Sequence, residues 1–202
     1  EDILRAIVEF KGGKGKAHRM VLPFAFELAS KLLTYLEKSE AVRRVDVLGS
    51  LRRMKETVGD IDIAVGTDNP REVIEHFVSY PYSERIIEKG AATASLLVSG
   101  GRQVDLMTVP TKTYGSLLQH FTGSKNHNIK LREYALKSGL SLSEKGIKRN
   151  ITGKAITDTF EAEEAFYKAL GMSWIPPEIR EDTGEIEAAM KGTLPNLVEL
   201  KD

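Results

Sequence analysis

The 202-residue chain has no cysteine. That excludes disulfides, thiolate nucleophiles and cysteine-ligated zinc, and it fits a reducing compartment. Long apolar runs are missing too. No window approaches the length needed to cross a bilayer, and the acidic start Glu1-Asp2 is not that of a signal peptide. A soluble, cytoplasmic monomer with no membrane partner is the expectation. Net charge is absent, with 29 basic against 29 acidic side chains, yet the balance is uneven along the chain. From Asp158 onward there are 4 basic and 11 acidic residues, so the first 157 carry 25 basic and 18 acidic. This split permits a nucleic-acid partner without demanding one. Internal repeats are also lacking. What is present, 41% hydrophobic and 29% charged residues, is the make-up of a globular chain long enough for one or two compact units.

The chain is organised around Val45–Val65, VDVLGSLRRMKETVGDIDIAV. An alternating strand from Val45 to Leu48 stops at Gly49-Ser50. The basic segment Leu51 to Lys55 has helical character, and Gly59 turns the chain into a second strand, Asp60 to Val65. Residues two apart on a strand project from the same face. Asp60 and Asp62 therefore share one face and Ile61 and Ile63 the other. Two carboxylates held so close repel unless a cation lies between them. A hard divalent ion such as Mg²⁺ takes one or two carboxylates and completes its shell with phosphate oxygens and water. A Gly-Ser turn opening a helix offers N–H groups and a hydroxyl to an anion. Singly, each feature is ordinary: Asp-x-Asp is usually a solvated edge, and Gly-Ser a helix cap. Combined, with nine residues between Ser50 and Asp60, they predict a metal-and-triphosphate site.

Along the rest of the chain, Glu1 to Phe10 reads as a short amphipathic helix (Ile3, Ile7 and Val8 on one side), followed by a basic connector, Lys11 to Lys16. The abrupt start without methionine suggests a fragment. Pro23 opens a helix running to about Glu37, with Ala25, Leu28, Leu32 and Leu36 as its buried stripe. Asn69-Pro70 starts another through about Val78. Three strands follow, at 83–88, 93–98 and 102–109. The glycines at their turns predict antiparallel hairpins. Asp105 stands in the third strand between Val104 and Leu106, where a carboxylate needs a partner: a metal ion shared with Asp60 and Asp62, or a structural salt bridge. Beyond Tyr114 the pattern turns helical, at 114–121 and 126–137, with Lys125, Asn128 and Arg132 on a polar face. Short strands are expected over 140–156, then a helix at 161–170 whose acidic start suits the helix dipole. Trp174-Ile175-Pro176-Pro177 reads as a rigid apolar packing element, Glu185 to Lys191 as a last helix, and 194–198 as an outgoing linker.

Several of these segments, in order and spacing, resemble the family X DNA polymerases (the polymerase beta group). They are GSLRR at 49–53, VGDID at 58–62, VDL at 104–106, HFTGS at 120–124 and the following Asn128 and Arg132, while WIPPEIRE at 174–181 looks most like the bacterial and archaeal branch. The likeness covers about 20–200. It implies an α+β fold: a nucleotidyltransferase palm at 20–112, with a mixed, largely antiparallel sheet, followed by a small α+β thumb at 113–202. Residues 1–19 would be the tail of a helix-hairpin-helix region. It further implies two Mg²⁺ ions, with Mn²⁺ as a possible substitute, on Asp60 and Asp62, one of them shared with Asp105. Gly49, Ser50, Arg53 and Gly59 would hold the triphosphate. Phe121, Gly123 and Ser124 would flank the sugar, with a cis peptide between Gly123 and Ser124. Asn128 would reach the minor-groove edge of the incoming base, and Arg132, Lys125 and His120 would face the DNA.

Three positions depart from that pattern. His120 stands for a tyrosine of the best-known relatives, Gln103 for an arginine beside the third aspartate, and Lys125 for an acidic residue. The lyase and phosphoesterase domains that relatives can carry have no counterpart in these residues. The expected activity is template-directed addition of dNMP to a primer 3′-OH, in gap-filling repair, with gapped or primer-template DNA and dNTP as partners. Two other classes share part of the pattern: a nucleotidyltransferase acting on a small molecule, an RNA end or a protein, and a non-catalytic DNA-end binder.

Overall fold

The structure, a computed structural model, describes residues 19–151 and 154–198. The helix expected at 1–10, the basic connector after it and nearly all of the segment assigned to 1–19 lie outside these residues.

Helix α1, Leu22–Leu36, begins with Pro23 in its first turn, where a missing N–H costs nothing. Ala25, Leu32 and Leu36 of the expected stripe are buried. Ala29 completes the stripe and Leu28 sits at its edge. Strand β1 (Met20–Val21) pairs with β3 (Thr57–Val58) beside it. Strand β2 is Arg44–Val47. A single helical turn, α2, spans Gly49–Arg52. The helix thus begins at the Gly-Ser pair itself and stops short of the expected Lys55. Met54, at φ 55°, takes a conformation that no α-helix continues through.

The main sheet has five strands in the order β2-β4-β7-β6-β5. Strand β4 is Ile61–Gly66, β5 Ser83–Lys89, β6 Thr93–Val98 and β7 Arg102–Val109. The hairpins at Gly90 and Gly100-Gly101 are antiparallel, as their turns predict, and β2 pairs antiparallel with β4. The β4–β7 pairing alone is parallel. The sheet is therefore mixed and largely antiparallel, as expected. Helix α3, Pro70–Val78, is capped by Asn69, whose side chain accepts from the Glu72 N–H and donates to its carboxylate.

Alternation fixes the layers. Ile61, Ile63 and Val65 of β4 face the same side as Val104 and Leu106 of β7 and Ala94, Leu96 and Val98 of β6, and all pack on α1 and α3. Helix α4, Tyr114–Thr122, covers part of the opposite face, where Tyr114, Leu117 and Leu118 meet Leu48 and Ala64. A separate buried cluster follows. Helix α5 (Lys125–Lys137) contributes Leu131 and Ala135, α6 (Glu163–Ala169) Phe166 and Tyr167, and α7 (Glu185–Lys191) Ile186 and Ala189. Against it lies a three-stranded antiparallel sheet of β8 (Ser141–Ser143), β9 (Gly146–Ile151) and β10 (Lys154–Asp158). Ile175 and Pro177 are buried in or beside this cluster, as the packing role of WIPP predicts. Among the described residues no helix is long and apolar enough to cross a membrane.

Helix α6 has the acidic first turn expected of it, Glu163 and Glu164, and Glu163, 3% exposed, is in addition tied into ion pairs. Its Oε1 accepts from Arg180 at 2.6 Å and its Oε2 from Arg52 at 3.0 Å. The Trp174 indole N–H donates to it as well, at 2.9 Å. Arg180 itself is fully buried and also donates to the Ile175 carbonyl.

Candidate active site

The face of the sheet that α4 leaves uncovered carries the acidic residues. Parallel pairing sets Asp62 directly opposite Asp105, and the period of two brings Asp60 to the same side. Carboxylate oxygens of the three lie within 4.8 Å of one another. Asp62 is pushed up to about 7, first by burial and then by the charges of Asp60 and Asp105. No ion pair among the described residues includes any of the three. Three carboxylates converging without a protein cation make a donor set suited to a hard divalent ion. Among the described residues Asp105 joins no salt bridge.

Asp105 is held from two sides. Gln103, two residues back on the same face, donates its amide N–H to both carboxylate oxygens at 3.0 Å. Ser95, its partner across the β6–β7 hairpin, donates a short hydrogen bond through its hydroxyl. Both donors that hold Asp105 are neutral. Ser95 is a residue that sequence reasoning missed, yet it was findable: counting outward from Gly100, the hairpin register sets 98 against 102 and hence 95 against 105.

The Gly49-Ser50 turn lies against the same carboxylates. Gly49 has φ 56°, and a Cβ there would come within 2.6 Å of Asp62 Oδ2. A side chain at 49 would be strained and would push the carboxylate away. Gly49 thus serves the acidic cluster as well as any anion. Gly59 and Ser50 are half-buried beside it. Arg53, expected at the triphosphate, has its Nε on Glu181 Oε1 at 2.9 Å and one terminal nitrogen on the Thr122 carbonyl. Lys55 adds a contact to Glu181 at 3.5 Å.

The HFTGS segment ends α4 and starts α5 beside Arg53. Gly123 has φ 71°, and a Cβ on it would press on the Arg53 guanidinium at 3.1 Å. The Gly123–Ser124 peptide is cis. Ser124 caps α5 by accepting from the His127 N–H, while Phe121 is 38% exposed. On α5, Asn128 bonds to Gln119 and to the His120 carbonyl. Arg132 approaches His120 Nδ1 at 3.4 Å. Burial, then the Arg132 charge, holds His120 below its ordinary pKa, so its ring nitrogen can accept. Lys125 is exposed and joins none of these bonds. The site therefore falls into two groups: carboxylates with the Gly-Ser turn on the sheet, and 120–132 on α4 and α5, linked through Arg53.

A prediction follows from the crowding at Asp62. A carboxyl raised in the folded state contributes most below its unfolded pKa, and that contribution is lost as pH rises through the folded value. Without divalent ions, Asp62→Asn should raise the melting temperature at pH 8 and change it little at pH 4. Equal shifts at both pH values, followed by calorimetry, would refute the crowding.

A mixed sheet bearing clustered carboxylates before a Gly-Ser turn has the form of a nucleotidyltransferase. Residues 117–181 match the family described as DNA polymerase beta thumb. Over 189 residues, 93% of the chain, it is 36% identical to the DNA polymerase/3′-5′ exonuclease PolX of Bacillus subtilis (strain 168), of whose length it spans 32%. Over nearly its whole length the chain is thus similar to a DNA polymerase of the PolX kind, the likeness that its motifs predict.

Proposed function

We propose that this chain is the polymerising core of a gap-filling DNA polymerase. Residues 20–112 act as palm and 113–202 as thumb, transferring dNMP from a dNTP to the primer 3′-OH opposite a template base. The observation that carries the reading is the juxtaposition of Asp62 with Asp105 across β4–β7, beside Asp60 and the Gly49-Ser50 turn. In the reaction the 3′ oxygen bonds to the α-phosphorus and pyrophosphate departs.

Asp60, Asp62 and Asp105 would hold two Mg²⁺ ions, or Mn²⁺. When bound, these supply Lewis acidity that eases loss of the 3′-hydroxyl proton and offsets charge on the triphosphate. The rest falls to the chain's own groups. Gln103 and Ser95 hold Asp105 in one orientation, so no reorganisation is needed at the moment of reaction. Ser50, Gly59 and the N–H groups of α2 receive the β and γ phosphates. Arg53 exchanges the Glu181 carboxylate for phosphate oxygens, keeping a charged partner in both states. Phe121 and Gly123 lie along the sugar, with Ser124 holding the start of α5. Asn128 meets the incoming base, while Arg132, Lys125 and His120 face the template strand.

The test is extension of a labelled primer by the 202-residue chain on a one-nucleotide gap, on an open primer-template and on bare single strand, with each dNTP and rNTP in turn. Template-matched addition, best on the gap, is the expected result. Untemplated addition, or addition to an RNA end alone, would point to another nucleotidyltransferase. DNA binding without any addition would leave a non-catalytic end binder.

A further inference from the structure

The carboxamide of Asn128 is gripped at both ends. Its Nδ2 donates to the His120 carbonyl at 2.7 Å, and its Oδ1 accepts from Gln119 Nε2 at 2.9 Å. A main-chain carbonyl can only accept, so the nitrogen end of Asn128 must face His120. The oxygen end then faces Gln119, which must donate. Gln119 is 3% exposed and has its own backing. Its amide also acts on the Tyr167 hydroxyl, favouring the charged form of that group. The Tyr167 hydroxyl is 3.1 Å from His127 Nε2, and His127 Nδ1 is 2.6 Å from Glu185 Oε1.

Each link has one permitted direction. Glu185 also accepts from the N–H groups of Asp182 and Thr183, so it is an acceptor toward His127. Burial keeps His127 below its ordinary pKa. Its single proton therefore sits on Nδ1, facing Glu185, and Nε2 accepts from the Tyr167 hydroxyl. The tyrosine oxygen can then receive the second N–H of Gln119. All bonds run in one sense, and they end on an asparagine whose Nδ2 keeps one N–H unused.

We propose that Gln119 is a positioning residue that fixes the Asn128 amide so that it offers a donor to the incoming nucleotide. Every correctly paired base presents an acceptor on its minor-groove edge, purine N3 or pyrimidine O2. A fixed donor there reads pair geometry without preferring a sequence. With Gln119 removed, the carboxamide is held at one end only and swings about its side-chain torsions. This inference rests on the reading of Asn128 given under Proposed function.

The test uses single-nucleotide insertion opposite template C by the full chain, comparing dGTP with 3-deaza-dGTP, which lacks the N3 acceptor. For the unaltered protein the analogue should be used about tenfold less efficiently, the worth of one hydrogen bond. Gln119→Leu should raise KM for dGTP about tenfold, leave kcat within about twofold and shrink the analogue penalty toward one. Tyr167→Phe, which keeps the ring and removes only the hydroxyl, should shift both in the same direction by a smaller factor. Unchanged KM and penalty in Gln119→Leu would overturn the proposal, as would a fall in kcat with the penalty intact. If Gln119→Leu does not fold, an unchanged penalty in Tyr167→Phe overturns it. The underlying reading fails differently: the unaltered chain would add no nucleotide, or would show no penalty while Asn128→Ala behaved as wild type.

Discussion

Asp105→Ala is expected to slow templated nucleotide addition by about a thousandfold or more, the several kcal/mol that a correctly held divalent ion contributes to a phosphoryl-transfer barrier. The substitution removes the one carboxylate contributed by β7, so Asp62 on β4 and Asp60 just before it would be left to hold both ions. Folding should survive. Losing Asp105 leaves Ser95 and Gln103 without their acceptor, a cost of about 1 kcal/mol for half-buried donors that water can reach. It also removes a like charge from Asp62, which offsets that cost. Asp105→Asn should lose activity as completely, since it keeps the shape and the Ser95 bond but not the charge. Single-turnover extension beside a melting curve and a nucleotide-binding titration separates the outcomes. Extension at the wild-type rate would show that Asp105 has no part in the reaction.

Glu163→Ala should be the most destabilising single change at a position far from the carboxylates. It strips the shared partner from Arg52 and from Arg180, the latter fully buried. Breaking a buried ion pair by removing one member costs about 3–5 kcal/mol, because the remaining charge stays buried. For a protein of this size that lowers the melting temperature by about ten degrees. Acid should mimic the mutation. Burial alone would raise the Glu163 pKa, but Arg180 and Arg52 outweigh it and hold the carboxyl down at about 2, against an ordinary 4.5. A depressed carboxylate stabilises fully above its unfolded pKa, and the benefit disappears as pH falls through the folded value. Wild type and Glu163→Ala should therefore differ most above pH 5 and converge toward pH 2. Replacing Glu163 and Arg180 together by leucine and methionine should cost less than the sum of the single changes. A melting shift below about two degrees for Glu163→Ala, too small for any broken buried pair, would rule out the hub.

How far the sequence revealed all this depended on the range of each contact. The strands at 61–66, 93–98 and 102–109 and the helices at 22–36, 70–78 and 125–137 follow local signals: period two, period 3.6, and glycine or proline at the ends. Asp60 and Asp62 were legible as a pair from their spacing of two, although the strand itself begins one residue later, at Ile61. Asp105 was legible as a strand carboxylate wanting a partner, and the structure sets it opposite Asp62 and bonds it to Gln103 and Ser95. Glu163, Arg180 and Arg52 were not, since their meeting joins α6, the Pro-Pro segment and α2, and no local pattern encodes that. The same holds for Gln119, whose hydrophobic neighbours in α4 mark it only as buried. Helix α2 starts two residues before the basic segment that marks it, at Gly49, whose positive φ and lack of a side chain fit it against Asp62.

The parallel pairing of β4 with β7 has a kinetic consequence. Asp62 and Asp105 are 43 residues apart in the chain, and they come together only when β7 docks alongside β4. A partly folded chain offers a cation two carboxylates; a slip of one residue in the docking would offer it Val104 or Leu106 instead. The three-carboxylate donor set is thus completed only once β7 has docked. During refolding, the moment at which a luminescent lanthanide probe binds tightly would date the docking of β7, and the protein would carry its own clock for that step.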